Sequence, residues 1–300
     1  MKFEYQSVTV DDGATLRYVD FGSGKPLVYL IGFGETVSSS SGLLSRWSEK
    51  FRCVSFDHRG YGETPATDVV GMERSARDLH CLLEELDLRD VRLVGYSMGG
   101  SVAFAYAQLF GMDRVSRLVL ADTTPKLINE GDWTLGLWQG RYSRDDFERD
   151  LDLITTDSTA CHLSFYLRAA TQSPIESPPE FPEGYDKEEW LARVVEHTGI
   201  RERLARRVFF IDRKPEFCEL EKKYWNSMTG EDRVDVTKSV KVPTLCVYAN
   251  PGSFYSPRTG AWLAETLPHG SLKVIENATH VFPKEHFDEF ITVVEEFFST

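Results

Sequence analysis

Ser97 stands in Gly95-Tyr96-Ser97-Met98-Gly99, after the apolar run Val91-Arg92-Leu93-Val94 and before an Ala-rich stretch through Ala107. The run reads as a buried strand and the stretch as a buried helix, so the serine falls on the turn between them. Such a turn strains its central residue and presses helix against strand, and side chains in place of the glycines would clash. It lifts the hydroxyl to the top of a sheet, beside free N–H groups at a helix start that favour negative charge. The chemistry implied is nucleophilic. A serine hydroxyl is a weak nucleophile near neutral pH, so a base must take its proton as it attacks.

Composition narrows what such a serine serves. The chain has 300 residues and a net charge of −13, with 41% hydrophobic and 27% charged residues. That is enough to bury a large α/β core. The negative charge argues against nucleic acid and anionic membrane surfaces as partners. No apolar run approaches the roughly 20 residues needed to span a bilayer, and the N-terminus has no secretory h-region. The five cysteines (Cys53, Cys81, Cys161, Cys218, Cys246) are odd in number and scattered, as expected of reduced thiols packed as small hydrophobes in a cytoplasmic protein. Gly32-Phe33-Gly34 and Gly22-Ser23-Gly24-Lys25 lack the spacing of a phosphate loop, and no metal-ligand spacing is found. Neither cofactor nor metal is expected; the expected partner is a small-molecule substrate.

The elements that must position Ser97 follow from periodicity. Residues 3–10 and 14–20 alternate as two strands joined at Asp11-Asp12-Gly13. Further strands are predicted at 27–31, 53–56, 91–94 and 118–121, with a helix over 70–88 carrying Met72, Ala76, Leu79, Leu82, Leu83 and Leu86 at helical spacing. Strand and helix in alternation imply a parallel sheet covered on both faces. The run Ser38-Ser39-Ser40-Ser41 reads as a flexible loop edge. The alternation stops after Pro125. Helical segments are predicted near 143–154, 158–171, 186–197, 201–212 and 216–228, split by a Pro-rich link at 173–179. Strands resume at 244–248 and 272–275, with helices near 257–266 and 285–298.

With these pieces placed, the chain resembles the α/β-hydrolase superfamily. The resemblance rests on Gly32-Phe33-Gly34 after the third strand, Asp57-His58-Arg59-Gly60-Tyr61-Gly62 after the fourth, Gly95-Tyr96-Ser97-Met98-Gly99-Gly100 after the fifth, and Asn277-Ala278-Thr279-His280 near the C-terminus. It implies an α/β-hydrolase core over 1–125 and 236–300, and a helical cap or lid over 126–235. It also implies a Ser–His–acid site with Ser97 as nucleophile and His280 as base, with the backbone N–H groups of Phe33 and Met98 as oxyanion donors. The other histidines (His58, His80, His162, His197, His269, His286) are read as surface loop residues. Trp133 and Trp138, soonest after the sixth strand, are expected in the pocket wall, and Trp225 is a further substrate-binding candidate.

The chain departs from the family twice. Ile31 stands where a histidine usually precedes the oxyanion glycine. After the seventh strand, Ala249-Asn250-Pro251-Gly252-Ser253-Phe254-Tyr255-Ser256-Pro257 contains no carboxylate where the family places its acid. Asp122 is the proposed acid, since it closes the strand expected beside that of Ser97, and reacting groups gather at the carboxyl ends of neighbouring strands. Two other readings stand beside it: Asp122 as a cap of the turn at Thr123-Thr124-Pro125, and Asn250 as the group that orients the imidazole. The expected function is a serine hydrolase of a carboxylic ester, thioester or lactone of a small apolar substrate. The alternatives are a catalytically weak binding or receptor protein on the same fold, or a C–C hydrolase, acyltransferase or cofactor-free peroxidase.

Overall fold

The computed structural model describes residues 3–171, 180–199, 201–210, 213–252 and 254–299, and the Pro-rich link at 173–179 lies outside them. In chain order the elements are β1 (Gln6–Thr9), β2 (Thr15–Gly22), β3 (Lys25–Leu30), α1 (Ser41–Trp47), β4 (Phe51–Phe56), α2 (Met72–Glu85), β5 (Val91–Tyr96), α3 (Met98–Phe110) and β6 (Val115–Ala121). Then follow α4 (Leu137–Gly140), α5 (Arg144–Thr156), α6 (Ser158–Ala170), α7 (Lys187–Thr198), α8 (Glu202–Phe209) and α9 (Pro215–Thr229). The chain closes with β7 (Thr244–Pro251), α10 (Pro257–Thr266), β8 (Gly270–Ala278), α11 (Phe282–Glu285) and α12 (Phe287–Ser299).

The strands form one eight-stranded sheet in the order β1-β2-β4-β3-β5-β6-β7-β8. β1–β2 and β2–β4 pair antiparallel, and β4, β3, β5, β6, β7 and β8 pair parallel. Side chains of a strand alternate between faces, and both faces are covered here. From β3, Val28 and Leu30 join the core under α2 and α3 with Leu79, Leu82, Val102 and Phe104. Leu27 and Tyr29 join the opposite core with Leu44 and Trp47 of α1 and Phe290 and Val294 of α12. Every residue of β5 is buried as a result, which is why the strand before Ser97 reads as a run that is apolar except at Arg92. Helix α2 buries Met72, Ala76, Leu79, Leu82 and Leu83, the stripe its periodicity predicts; each buried leucine contributes about 2 kcal/mol.

The serine run departs from expectation. Ser38 and Ser39 lie in a 3₁₀ turn whose cap, Thr36, exchanges hydrogen bonds with Ser39, and the chain continues directly into α1. The helix is short and serine-rich, so its three buried residues, Leu43, Leu44 and Trp47, give too little periodicity to read. The last helix is also broken: α11 ends at Glu285 and α12 starts at Phe287.

Between β6 and β7 the described residues form helices and no strand of the sheet, in line with the loss of alternation in the sequence. The chain leaves and returns at one place, where Lys126 bridges Asp232 and the Arg233 N–H donates to the Pro125 carbonyl at 2.9 Å. Helix α9 is fixed to the rest of the molecule by Tyr224, whose hydroxyl donates to the Arg59 carbonyl at 3.0 Å, and by Ser227, which accepts from the Met72 N–H at 2.9 Å. Among the described residues, no helix is long and apolar enough to cross a membrane.

Candidate active site

Ser97 occupies the single residue between β5 and α3, with φ 52° and ψ −118°. An L-residue is strained there, and the neighbouring glycines supply the room. A Cβ on Gly99 would lie 2.1 Å from the Leu30 carbonyl oxygen, and one on Gly95 would lie 2.7 Å from the Gly99 carbonyl oxygen. The turn is pinned by Ser97 N–H donating to the Ala121 carbonyl at 2.9 Å. That bond ties the end of β5 to the end of β6, and so brings Ser97 beside the residue after Ala121.

That residue is Asp122, with φ 45°, held by its own N–H on the Val247 carbonyl at 2.9 Å. His280 lies two residues beyond the end of β8. Its Nε2 is 3.0 Å from Ser97 Oγ and its Nδ1 is 2.5 Å from Asp122 Oδ2. The structure thus brings Ser97, His280 and Asp122 into one hydrogen-bonded line. Asp122 is fully buried and His280 nearly so. Burial raises the Asp122 carboxyl above its ordinary range, while the hydrogen bond and charge of His280 and the Ala249 amide pull it back down. Asn250 is directed elsewhere: its amide donates to Glu276 Oε2 at 2.5 Å on the exposed side of the β7–β8 pair.

Further contacts hold the histidine. The Tyr96 hydroxyl donates to the His280 carbonyl at 2.8 Å, and the Tyr96 ring stacks on the imidazole at 5.2 Å between centroids. On another side Phe254 lies 4.1 Å from His280, ring to ring. Phe254 comes from the loop after β7, in the segment that lacks a carboxylate, and the sequence reading did not single it out.

From Phe254 an aromatic chain continues into the helical insertion. Trp138 stands 4.7 Å from Phe254 and 6.1 Å from Phe165; Phe165 is 4.7 Å from Trp225, and Trp225 is 5.5 Å from Phe33. Trp138 and Trp225 therefore belong to one aromatic cluster with Phe33 and His280. Trp138 is carried by α4, a single turn in which Trp138 (φ 51°) and Gln139 (φ 54°) are left-handed. Gln139 binds that turn to the loop after β7, its N–H donating to the Phe254 carbonyl at 2.9 Å and its side chain to the Gly252 carbonyl at 2.6 Å. Met98 is fully buried at the start of α3, where backbone N–H groups have no intrahelical partner.

Trp133 is not brought to this cluster. Its indole N–H donates to the Lys126 carbonyl at 3.0 Å and its ring packs on Trp262 of α10 at 5.0 Å. It lines a separate cleft of about 380 Å³ with Gln108, Lys126 and Arg233. Nearness in sequence to β6 placed it in the pocket wall. The chain turns instead, and the indole closes back onto the root of the insertion.

Behind the aromatic chain lies a buried polar layer. Trp225 Nε1 donates to the Tyr142 hydroxyl at 3.2 Å, and that hydroxyl donates to Asp150 Oδ2 at 2.8 Å. Burial pushes the Asp150 carboxyl up to about 6. The Arg168 guanidinium stacks 4.2 Å over Trp138, the geometry of a cation–π contact. His162 is buried, with Nε2 2.9 Å from Glu221 and Nδ1 2.7 Å from the Ser158 carbonyl. His58 is buried too, between Phe56 at 5.1 Å and Tyr224 at 6.1 Å. Neither is the surface histidine expected from sequence, because each packs against elements far away in the chain.

The profile of the alpha/beta hydrolase fold matches residues 25–287. The chain is 34% identical over 126 residues to the non-heme chloroperoxidase CPO-A1 of Kitasatospora aureofaciens, a match covering 41% of this chain and 46% of that protein. At lower identity, 24% over 298 residues, it is similar to Lipase 1 of Psychrobacter immobilis, covering 95% of this chain and 81% of the lipase. The chain spans about half the length of the curated relatives that it matches at 32–34% identity. Its fold is that of the esterase from Exiguobacterium antarcticum, with a TM-score of 0.77 at 20% identity over 99% of this chain and 100% of that one. The eight-stranded, mostly parallel sheet, the serine on its strand–helix turn and the match over most of the length have one meaning: the chain belongs to the α/β-hydrolase family.

Proposed function

We propose that the protein is a serine hydrolase that cleaves a carboxylic ester, thioester or lactone of a small apolar substrate through an acyl-enzyme on Ser97. The observation that carries this reading is the line from Ser97 Oγ through His280 to Asp122, at 3.0 and 2.5 Å. Ser97 attacks the carbonyl carbon while His280 Nε2 takes the hydroxyl proton. The imidazolium keeps its Nδ1 proton on Asp122, whose charge stabilises it. The N–H groups of Phe33 and Met98 receive the developing oxyanion. Collapse of the tetrahedral species expels the alcohol, thiol or ring oxygen, which takes the proton back from His280. Water then attacks the acyl-enzyme by the same route and frees Ser97.

The insertion over 126–235 serves as the cap. An apolar acyl or leaving group is supported by the aromatic chain that runs from Phe254, against His280, through Trp138, Phe165 and Trp225 of the insertion to Phe33. The weak-binder reading rests on the acid absent after the seventh strand and on Ile31; the buried Asp122 carboxylate beside His280 weighs against the first of these. A fluorophosphonate probe tests the proposal. Labelling of Ser97 in the wild type and none in Ser97→Ala is the expected result; equal labelling of the two proteins refutes it.

A second reading draws on the similarity to a chloroperoxidase. The same acyl-enzyme, attacked by hydrogen peroxide instead of water, releases a peracid and restores the serine. Peracid formation from an ester and peroxide that survives Ser97→Ala would exclude it.

A further inference from the structure

Ile31 is fully buried in the sheet core and offers the glycine loop after β3 no hydrogen bond from its side chain. The loop is held by Glu35 instead. Its N–H donates to the Gly32 carbonyl at 3.2 Å, and its carboxylate oxygen Oε2 accepts from the Gly32 N–H at 3.2 Å. The other carboxylate oxygen, Oε1, pairs with the Lys284 ammonium. Lys284 belongs to α11, four residues after His280. A single carboxylate therefore spans the glycine loop and the segment that carries the histidine.

The geometry points to a Glu35–Lys284 strut that positions the Phe33 N–H for the oxyanion and sets its place relative to His280. This rests on the hydrolase reading above. The peptide between Gly32 and Phe33 is planar, with its C=O and N–H on opposite sides. Fixing the Gly32 carbonyl on the Glu35 N–H therefore fixes the direction of the Phe33 N–H. The Glu35 side chain secures the same turn at its other end, and Lys284 keeps that carboxylate in place. On the inner side, Tyr96 completes the link: its ring lies where a Cβ on Gly32 would touch it at 3.3 Å, and its hydroxyl donates to the His280 carbonyl at 2.8 Å. Glu35 is mostly shielded and Lys284 about half exposed, so the pair contributes little to global stability. Its effect falls on geometry.

The test uses the full-length protein with Lys284→Met, Glu35→Gln and the charge-conserving Lys284→Arg. Losing an oxyanion donor outright costs roughly 10²- to 10³-fold in kcat, so a loosened one is expected to cost about tenfold. On p-nitrophenyl butyrate, Lys284→Met and Glu35→Gln lower kcat by about that factor with KM little changed, and Lys284→Arg restores most of it. Affinity for phenylboronic acid, whose adduct on Ser97 places an oxygen in the oxyanion position, falls in parallel with kcat. Amide hydrogen exchange over residues 32–35 is measured on the same proteins and does not depend on turnover. Faster exchange in Lys284→Met supports the strut even if the wild type hydrolyses no ester, a result that counts against the hydrolase reading alone. Unchanged exchange overturns the strut. So does, in an active enzyme, a kcat within twofold of wild type in both variants, or a loss that raises KM and leaves kcat intact.

Discussion

Phe254 packs against His280 with the two rings tilted by 38° and 4.1 Å between centroids, from the loop after β7 in which no carboxylate stands. The loop without an acid supplies an aromatic ring, and the acid on the imidazole comes from the end of β6. Asp122 reaches His280 because β5, β6 and β7 are neighbours in parallel register, with Ser97 N–H on Ala121 and Asp122 N–H on Val247. The two changes fit each other: the His280 ring takes its charge partner from one strand end and an apolar neighbour from the next.

Asp122→Asn should cut kcat by roughly 10²- to 10⁴-fold with the fold intact, because the imidazole loses the partner that fixes its tautomer and holds its charge. Steady-state kinetics on an ester that the wild type turns over well, with circular dichroism as the control for folding, checks it. Activity within a few-fold of wild type would remove Asp122 from the mechanism.

Phe254→Ala should open the wall beside His280 and change the order of acyl preference. Relative kcat/KM for p-nitrophenyl esters from two to eight carbons should move toward the longer chains by about tenfold, a little over 1 kcal/mol of transition-state binding. The same ranking in wild type and variant would leave Phe254 as packing only.

Gly99→Ala should destabilise the fold, because its Cβ would sit 2.1 Å from the Leu30 carbonyl oxygen, a backbone atom of β3. Overpacking of this kind costs typically ~1–3 kcal/mol or more. Urea unfolding of the variant should show a midpoint clearly below that of wild type, and an unchanged midpoint would mean that helix and sheet can part without cost.

His58 supplies a pH dependence of stability. Burial lowers its pKa from 6.5 to about 4, so between those values the unfolded chain binds a proton that the folded chain does not. Stability therefore falls as pH falls through that window, by up to about 3 kcal/mol for this group. His58→Gln, which does not titrate, should lose that component. Urea unfolding at intervals from pH 7 to pH 4 tests this, and equal pH slopes for the two proteins would contradict it.

Much of this was legible in the chain. The strand–turn–helix context of Ser97 is local, and the strand sequence that puts Asp122 beside it follows from alternation along β5 and β6. Contacts made by irregular segments were not legible. Trp138 comes to the site on a left-handed turn that no periodicity marks, and Phe254 comes on a loop whose path depends on Gln139 of the insertion. Glu35 and Lys284 are brought together across almost the whole chain by the sheet order. The placement of Trp133 was not legible either, because its position after β6 carries no information about the turn that takes it onto Lys126 and Trp262.

Trapping the acyl-enzyme tests covalent catalysis by Ser97 most directly. Wild-type protein mixed with excess p-nitrophenyl ester and quenched in acid within the first turnover should gain the mass of one acyl group. Peptide mapping should place that mass on the segment containing Ser97, and Ser97→Ala should gain none. An acyl group on another residue, or ester turnover in Ser97→Ala at the wild-type rate, would contradict the account.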